Sequence, residues 1–140
     1  MQINNDVSKM DVDLIHRYLS EESMWAKGIS LATVKKSLAN SLCFAGYISS
    51  EQIAFARVIS DFSTFANLVD VFVLKEQRGN GYGKKMMDAV ITHPELQGLR
   101  RFTLATADAH GFYEQYGFTL LDKPQVFMER YEPNVYSKNS

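Results

Sequence analysis

The residues best suited to chemistry stand together in the segment Arg78-Gly79-Asn80-Gly81-Tyr82-Gly83-Lys84. An apolar run, Val69 to Leu74, precedes them, interrupted only by Asp70. Met87, Val90 and Ile91 follow and mark one face of a helix. A strand, a glycine turn and a helix in this order make an anion site. The first N–H groups of a helix lack backbone partners, and the helix dipole places roughly half a positive charge there. Glycines allow the backbone to turn with positive φ and to approach a phosphate closely. Arg78 and Lys84 add formal charge at the edges. A pyrophosphate is the natural guest.

The usual nucleotide loops fail on residue identity. The dinucleotide pattern G-x-G-x-x-G needs glycine at 84, where Lys84 stands. The triphosphate loop G-x-x-x-x-G-K-[ST] needs glycine at 78 and a hydroxyl residue at 85, where Arg78 and Lys85 stand. The spacing that fits is R-x-x-G-x-G, from Arg78 through Gly81 to Gly83. A turn that merely connects strand to helix is the competing reading.

A second block, Ala109-His110-Gly111-Phe112-Tyr113-Glu114-Gln115-Tyr116-Gly117-Phe118, follows after one strand. The stretch from Asp70-Val71-Phe72-Val73 through Lys84 resembles the acetyl-CoA motif of the GCN5-related N-acetyltransferase (GNAT) superfamily. The second block resembles that superfamily's late A-x-x-x-Y-x-x-x-G-F helix. The element order over roughly residues 1 to 130 is also similar, and the nearest likeness is to small bacterial members of unassigned substrate. The resemblance implies that Val71, Phe72 and Val73 pair with the pantetheine arm of acetyl-CoA, and that one of their N–H groups polarises the thioester. It implies that the backbone of Gly79, Asn80, Gly81, Tyr82, Gly83 and Lys84 holds the pyrophosphate, with Arg78 alongside. Tyr113 matches the family's proton donor to the leaving thiolate, with a packing tyrosine as the alternative. His110, one turn earlier, is expected to line the cofactor cleft. Thr106 stands where the family often has asparagine, so a hydroxyl replaces an amide there.

Acyl transfer to an amine also requires a neutral nucleophile, because an alkylammonium has a pKa near ~10.4. Asp70 is the candidate base or anchor for that amine. Its other reading is a partner for an arginine such as Arg57, since an unpaired charge in an apolar strand costs several kcal/mol. Where some relatives place an acid or histidine, one and three residues before Asp70, this chain has Val69 and Asn67. Trp25, Asp61, Phe62 and Phe65 are candidates for an aromatic acceptor pocket with one acidic wall, with Trp25 alternatively a core plug. The acceptor is expected to be a small-molecule or peptide amine. A non-catalytic acyl-CoA sensor, transfer to a hydroxyl and a longer acyl chain are the alternatives.

The elements that must position these residues follow from local signals. Ser8 and Asp11 cap a first helix that ends near Ser20, and Ser30 precedes a second one that stops around Asn40. Ser41 to Ile48 and Ile53 to Ile59 read as a hairpin across Ser49-Ser50-Glu51-Gln52. Phe65 to Leu74 is a long strand. The helix after the glycines ends at His93, because Pro94 follows. Arg101 to Thr106 is a strand, and Ala109 to Tyr116 a short helix stopped by Gly117. Thr119 to Leu121 and Val126 to Met128 read as closing strands, and the polar tail from Glu132 as frayed. The expected fold is one α/β domain over residues 1 to 140, a GNAT-like, mixed but mostly antiparallel twisted sheet flanked by helices.

Composition fits that picture. Apolar residues make 46% and charged residues 22%, an ordinary globular balance. Fifteen Lys and Arg against sixteen Asp and Glu leave a net charge of −1, so no global field favours nucleic acid or an anionic membrane. Cys43 is the only cysteine and lies in an apolar run, as a core thiol would. No signal peptide, membrane span or metal site is read, a cytoplasmic setting is expected, and either a monomer or a homodimer is compatible.

Overall fold

The computed structural model describes residues 1–137. Five strands form one sheet in the order β1 (Gln2–Asn4), β2 (Leu42–Ile48), β3 (Glu51–Ser60), β4 (Phe65–Val73) and β5 (Arg101–Leu104). Neighbours are antiparallel except β4 and β5, which run parallel. Helices α1 (Val12–Arg17) and α2 (Leu31–Ala39) lie on one face; α3 (Tyr82–Thr92) packs on the other, and α4 (His110–Glu114) follows β5. The mixed, mostly antiparallel sheet with flanking helices is the α/β fold that the sequence implies.

Period-two alternation builds the two cores. Cys43, Ala45 and Phe55 point to Ile15, Leu19, Val34 and Leu38 of the α1/α2 side. Phe44, Ala54, Ala56 and Val58 point to Met86, Met87 and Val90 of α3. Cys43 is a core thiol, and burial raises it to about 11. In β4 the alternation breaks. Ala66 and Leu68 face α3, whereas Phe72 faces α1 and α2. Strict alternation would put all three on one side, so an odd number of extra residues must intervene. Val69 pairs with Arg57 and Phe72 with Phe55, so Asp70 and Val71 together oppose Ala56. This is a bulge, and Asp70 sits in it at φ +54°.

Local capping matches expectation where the chain's own groups decide it. Asp11 accepts from the Leu14 N–H and Ser30 from the Thr33 N–H. Ser8 is not part of the α1 cap; it lies in a 3-10 turn, where its N–H and hydroxyl both donate to Asp6. Beyond Arg17 the helix continues as a π turn, Tyr18–Glu22. The β2–β3 connection is tighter than expected: Ser49 and Ser50, at φ 50° and 69°, turn the chain alone.

Three expectations are corrected. β1 was not foreseen; it is three residues long and exists only through its pairing with β2. The closing strands at Thr119 to Leu121 and Val126 to Met128 do not form within the chain. Pro124 lacks an N–H and opens a 3-10 turn, Pro124–Val126, that breaks the extended run. The tail is not frayed over its whole length, because Tyr136 packs against the α1/α2 core, its carbonyl beside Gly28. Its last three residues, 138–140, lie outside the described residues.

Candidate active site

β4 and β5 part company. Their parallel ladder runs from Phe65–Arg101 to Leu68–Leu104 and stops, while β4 continues to Val73. Among the described residues, the edge of residues 69–73 on that side is therefore paired by no strand. A cleft of about 570 Å³ opens there, lined by Val71, Phe72 and Val73 on one wall and by Ala109 and Phe112 of the α4 region on another. Unpaired strand edges are templates for extended ligands with amide groups.

The glycine segment closes one end of the cleft. Gly79 and Gly81 take φ +83° and +78°, and a Cβ on either would meet nothing within 4 Å. Conformation, not crowding, is what demands glycine at both. Gly81 is the N-cap of α3 and supplies no side-chain cap, so the first N–H groups of α3 have no backbone partner among the described residues until Lys85 donates to the Gly81 carbonyl. Gly83 differs: a Cβ there would touch only the Phe112 ring, at 3.7 Å.

The flanking cations are not equivalent. Arg78 lines the cleft, donating from Nε to the Val73 carbonyl at 3.0 Å and from Nη2 to the Tyr18 hydroxyl at 3.0 Å. Tyr18 in turn stacks on Phe72 with ring centroids 3.9 Å apart. Lys84 points elsewhere, its Nζ 5.7 Å from the Tyr116 ring centroid. The Asn80 amide donates to the Gln77 carbonyl and steadies the turn.

The bulge residue Asp70 is fully engaged. Arg57 Nε lies 2.9 Å from Oδ2, Trp25 Nε1 donates to Oδ1 at 2.7 Å, and Arg57 Nη1 donates to the Ser41 hydroxyl at 3.0 Å. The Asp70 side chain is only 8% exposed, and it is absent from the cleft lining. Of the two readings of Asp70, the arginine pairing is the one present. Trp25 lines the cleft and is 54% exposed, so it is a wall and not a core plug.

Tyr113, His110 and Thr106 line a second groove, of about 260 Å³, along β5 and α4. Phe112, next to Tyr113, faces the cleft and packs against Tyr113 at 5.0 Å between centroids. The Tyr113 hydroxyl makes no hydrogen bond among the described residues, and burial raises its pKa. Thr106 accepts from the Ala109 N–H at 3.0 Å and so fastens the start of α4.

The predicted acceptor pocket is not assembled. Asp61 accepts from the N–H groups of Ser63, Thr64 and Phe65 and from the Thr64 hydroxyl, which holds its carboxyl well below the usual range and closes the β3–β4 turn. Phe62 and Phe65 sit at that same end, and neither lines the cleft with Trp25. Tyr18, Gln77 and Asp108 line it without having been foreseen. Tyr18 carries no sequence signal, since a long-range contact with Arg78 places it; Asp108 stands one residue before the Ala109 motif.

Comparison with known proteins agrees with this geometry. Residues 39–120, more than half of the chain, match the acetyltransferase (GNAT) domain family. A protein of Gibberella zeae named as an acetyltransferase is 30% identical, over 76% of this chain and 71% of its own. A crystal structure from Xanthomonas campestris, assigned to the GNAT family, is 58% identical and superposes with a TM-score of 0.96, covering 97% of this chain and 96% of that one. A Clostridium acetobutylicum structure described with acetyl-CoA shares the fold, at 18% identity and a TM-score of 0.63 over 93% and 96% of the two chains. With a family model matched over more than half of its length, this chain is a member of the GNAT acetyltransferase family.

Proposed function

We propose that the protein is an acetyl-CoA-dependent N-acetyltransferase that passes the acetyl group directly to an amine of a small molecule or peptide. One observation carries the reading: the unpaired edge of β4 and the uncapped N-terminus of α3 open into the same cleft. A strand edge suits the amides of a pantetheine arm, and a helix N-terminus suits a pyrophosphate. The residues present therefore fit coenzyme A. Acetyl-CoA supplies an activated acyl carbon and a thiolate leaving group.

The chain's own groups then have separable tasks. Backbone N–H groups from Gly79 to Lys84 bind the pyrophosphate, with Arg78 held nearby by Val73 and Tyr18. An N–H among Val71 to Val73 donates to the thioester oxygen as negative charge grows there. Tyr113 gives its phenolic proton to the departing sulfur; burial raises the phenol's pKa, so it holds its proton to higher pH than a free tyrosine. The amine loses one proton as its nitrogen bonds to the acyl carbon, and the carbon–sulfur bond breaks. Asp70 serves here by fixing the bulge and Trp25, and proton removal from the amine falls to water. Trp25 forms the acceptor side of the cleft and favours a flat or apolar amine.

Calorimetric titration with acetyl-CoA, free coenzyme A and NADH tests the binding half. Saturable binding of the first two and not of NADH is expected. Thiol release across an amine panel tests the transfer half. Tight acetyl-CoA binding with no thiol release from any amine would turn the reading toward a sensor.

A further inference from the structure

Trp25 is fastened at its tip, where the indole donates to Asp70 at 2.7 Å. Its backbone is not fastened. Among the described residues, no backbone hydrogen bond involves Met24 or Trp25, and the Met24 side chain is exposed. The loop of residues 23–29 that carries Trp25 is instead placed by its other members. Ser23 Oγ donates to the Leu19 carbonyl at 2.6 Å and accepts from the Ala26 N–H at 3.0 Å. The Gly28 N–H donates to the Ser20 carbonyl at 3.1 Å, and Ala26 and Ile29 are buried in the α1/α2 core. These contacts fix the inner side of the loop.

The far end of the chain covers the outer side. Gly28 takes φ +83°, and a Cβ on it would stand 3.5 Å from the Tyr136 carbonyl oxygen and 3.8 Å from the Tyr136 Cβ. The two backbones are thus one carbon's width apart, and Tyr136 packs against the α1/α2 core. The chain leading to this contact does not impose it. Met128, Glu129, Arg130 and Tyr131 make no backbone hydrogen bond among the described residues. A turn then presents Tyr136: the Val135 N–H donates to the Glu132 carbonyl at 3.2 Å and the Ser137 N–H to the Asn134 carbonyl at 3.1 Å. Of residues 132–137, Tyr136 alone turns inward; the others are exposed. An unbonded stretch that ends on a docked aromatic has the form of a strap.

We propose that Tyr136 is a positioning residue for Trp25: the tail straps the loop of residues 23–29 onto α1 and α2, and so sets the wall against which the acceptor amine rests. The functional half of this inference rests on the reading of Trp25 as the acceptor side of the cleft. Trp25 lines that cleft and Tyr136 does not, so Tyr136 touches neither reactant and acts through Gly28. With the loop held at Gly28, few residues remain to be ordered when the indole bonds to Asp70. With Gly28 released, the same bond must order a longer free stretch, which costs more conformational entropy. The cofactor half of the cleft stands on other elements, the edge of β4 and the glycine turn before α3. Loosening the strap should therefore disturb the acceptor wall and spare cofactor binding.

Trp25 is the only tryptophan, so intrinsic fluorescence reads its surroundings directly. Its 54% exposure leaves room for acrylamide quenching to rise about two-fold when the loop loosens. Tyr136→Ala in the full chain should give that rise and a red-shifted emission. Its far-UV circular dichroism spectrum should match the wild type, and its acetyl-CoA affinity should stay within about two-fold. Tyr136→Phe keeps the ring and should quench like the wild type. Unchanged quenching in Tyr136→Ala would overturn the proposal. Loss of the fold would overturn it too, by making Tyr136 a core residue. So would a fall in acetyl-CoA affinity as large as the rise in quenching, because the tail would then support the whole cleft. A wild type that binds no acetyl-CoA would sink the reading of the site instead, while the quenching comparison would still decide whether the tail holds Trp25.

Discussion

Trp25 and Asp70, separated by 45 positions, meet through a 2.7 Å hydrogen bond from the indole to one carboxylate oxygen. The other oxygen holds Arg57. The link between α1 and α2 is thus fastened to the bulge of β4, and a cleft wall is fastened to the strand that borders it. A left-handed φ costs a non-glycine residue about 1–2 kcal/mol, which this network offsets.

Removing the carboxylate should therefore cost stability before chemistry. Asp70→Ala leaves Arg57 with no counter-ion at a largely buried site, and urea unfolding should register a loss of about 3–5 kcal/mol. Asp70→Asn should lower activity without removing the acid limb of the pH–rate profile. Loss of that limb would make Asp70 the base. Trp25→Phe keeps the ring and loses the N–H; it should cost about 1 kcal/mol and raise KM for the acceptor more than it lowers kcat.

Tyr113→Phe should leave acetyl-CoA affinity within error and lower kcat about 100-fold, the lower end of general acid contributions. The sign of the pH effect follows from burial. With the folded pKa raised, the phenol holds its proton to higher pH than a free tyrosine, so the alkaline fall in kcat should begin only above about pH 10. An alkaline limb near neutrality would assign the proton to another group.

The two glycines separate phosphate binding from backbone strain. Gly81→Glu adds strain at positive φ and an anion in the cradle, and acetyl-CoA affinity should collapse. Gly83→Ala adds no strain, since its Cβ would make only ordinary contact with Phe112. That variant should melt at the same temperature or higher, by up to about 1 kcal/mol of helix propensity, and still bind acetyl-CoA several-fold more weakly. Unchanged affinity would mean that the phosphates do not approach this turn.

Cys43 gives a pH signature of its own. Burial raises the thiol to about 11, so the folded state keeps its proton after the unfolded chain has lost it. The stability associated with this group is intact below the unfolded thiol's pKa, ~8.5, and is lost as pH climbs toward 11. The difference in stability between wild type and Cys43→Ala should narrow across that window in chemical denaturation.

Much of the cleft is legible because its causes are local. Gly79 and Gly81 advertise positive φ, Pro94 stops α3, Ser30 starts α2, and the apolar run of β4 must be covered on both faces. Each signal acts over a few residues of chain, and the structure leaves each of them in place. Asp70 is the intermediate case. Its type marks it as anomalous in an apolar strand, while nothing nearby says whether Arg57, Trp25 or a substrate answers the charge.

The sequence by itself determined the glycine turn at the head of α3, the strand–turn–helix unit around it and the two apolar faces of the sheet, because turns, caps and alternation act between near neighbours. Only the tertiary structure decided that β4 flips its faces at Asp70, that Arg78 reaches Tyr18, that Asp61 closes a turn and takes no part in the cleft, and that residues 119–131 find no strand partner among the described residues. Those outcomes depend on strand register and on groups tens of residues apart. A one-residue bulge or a single proline changes them without altering any local propensity.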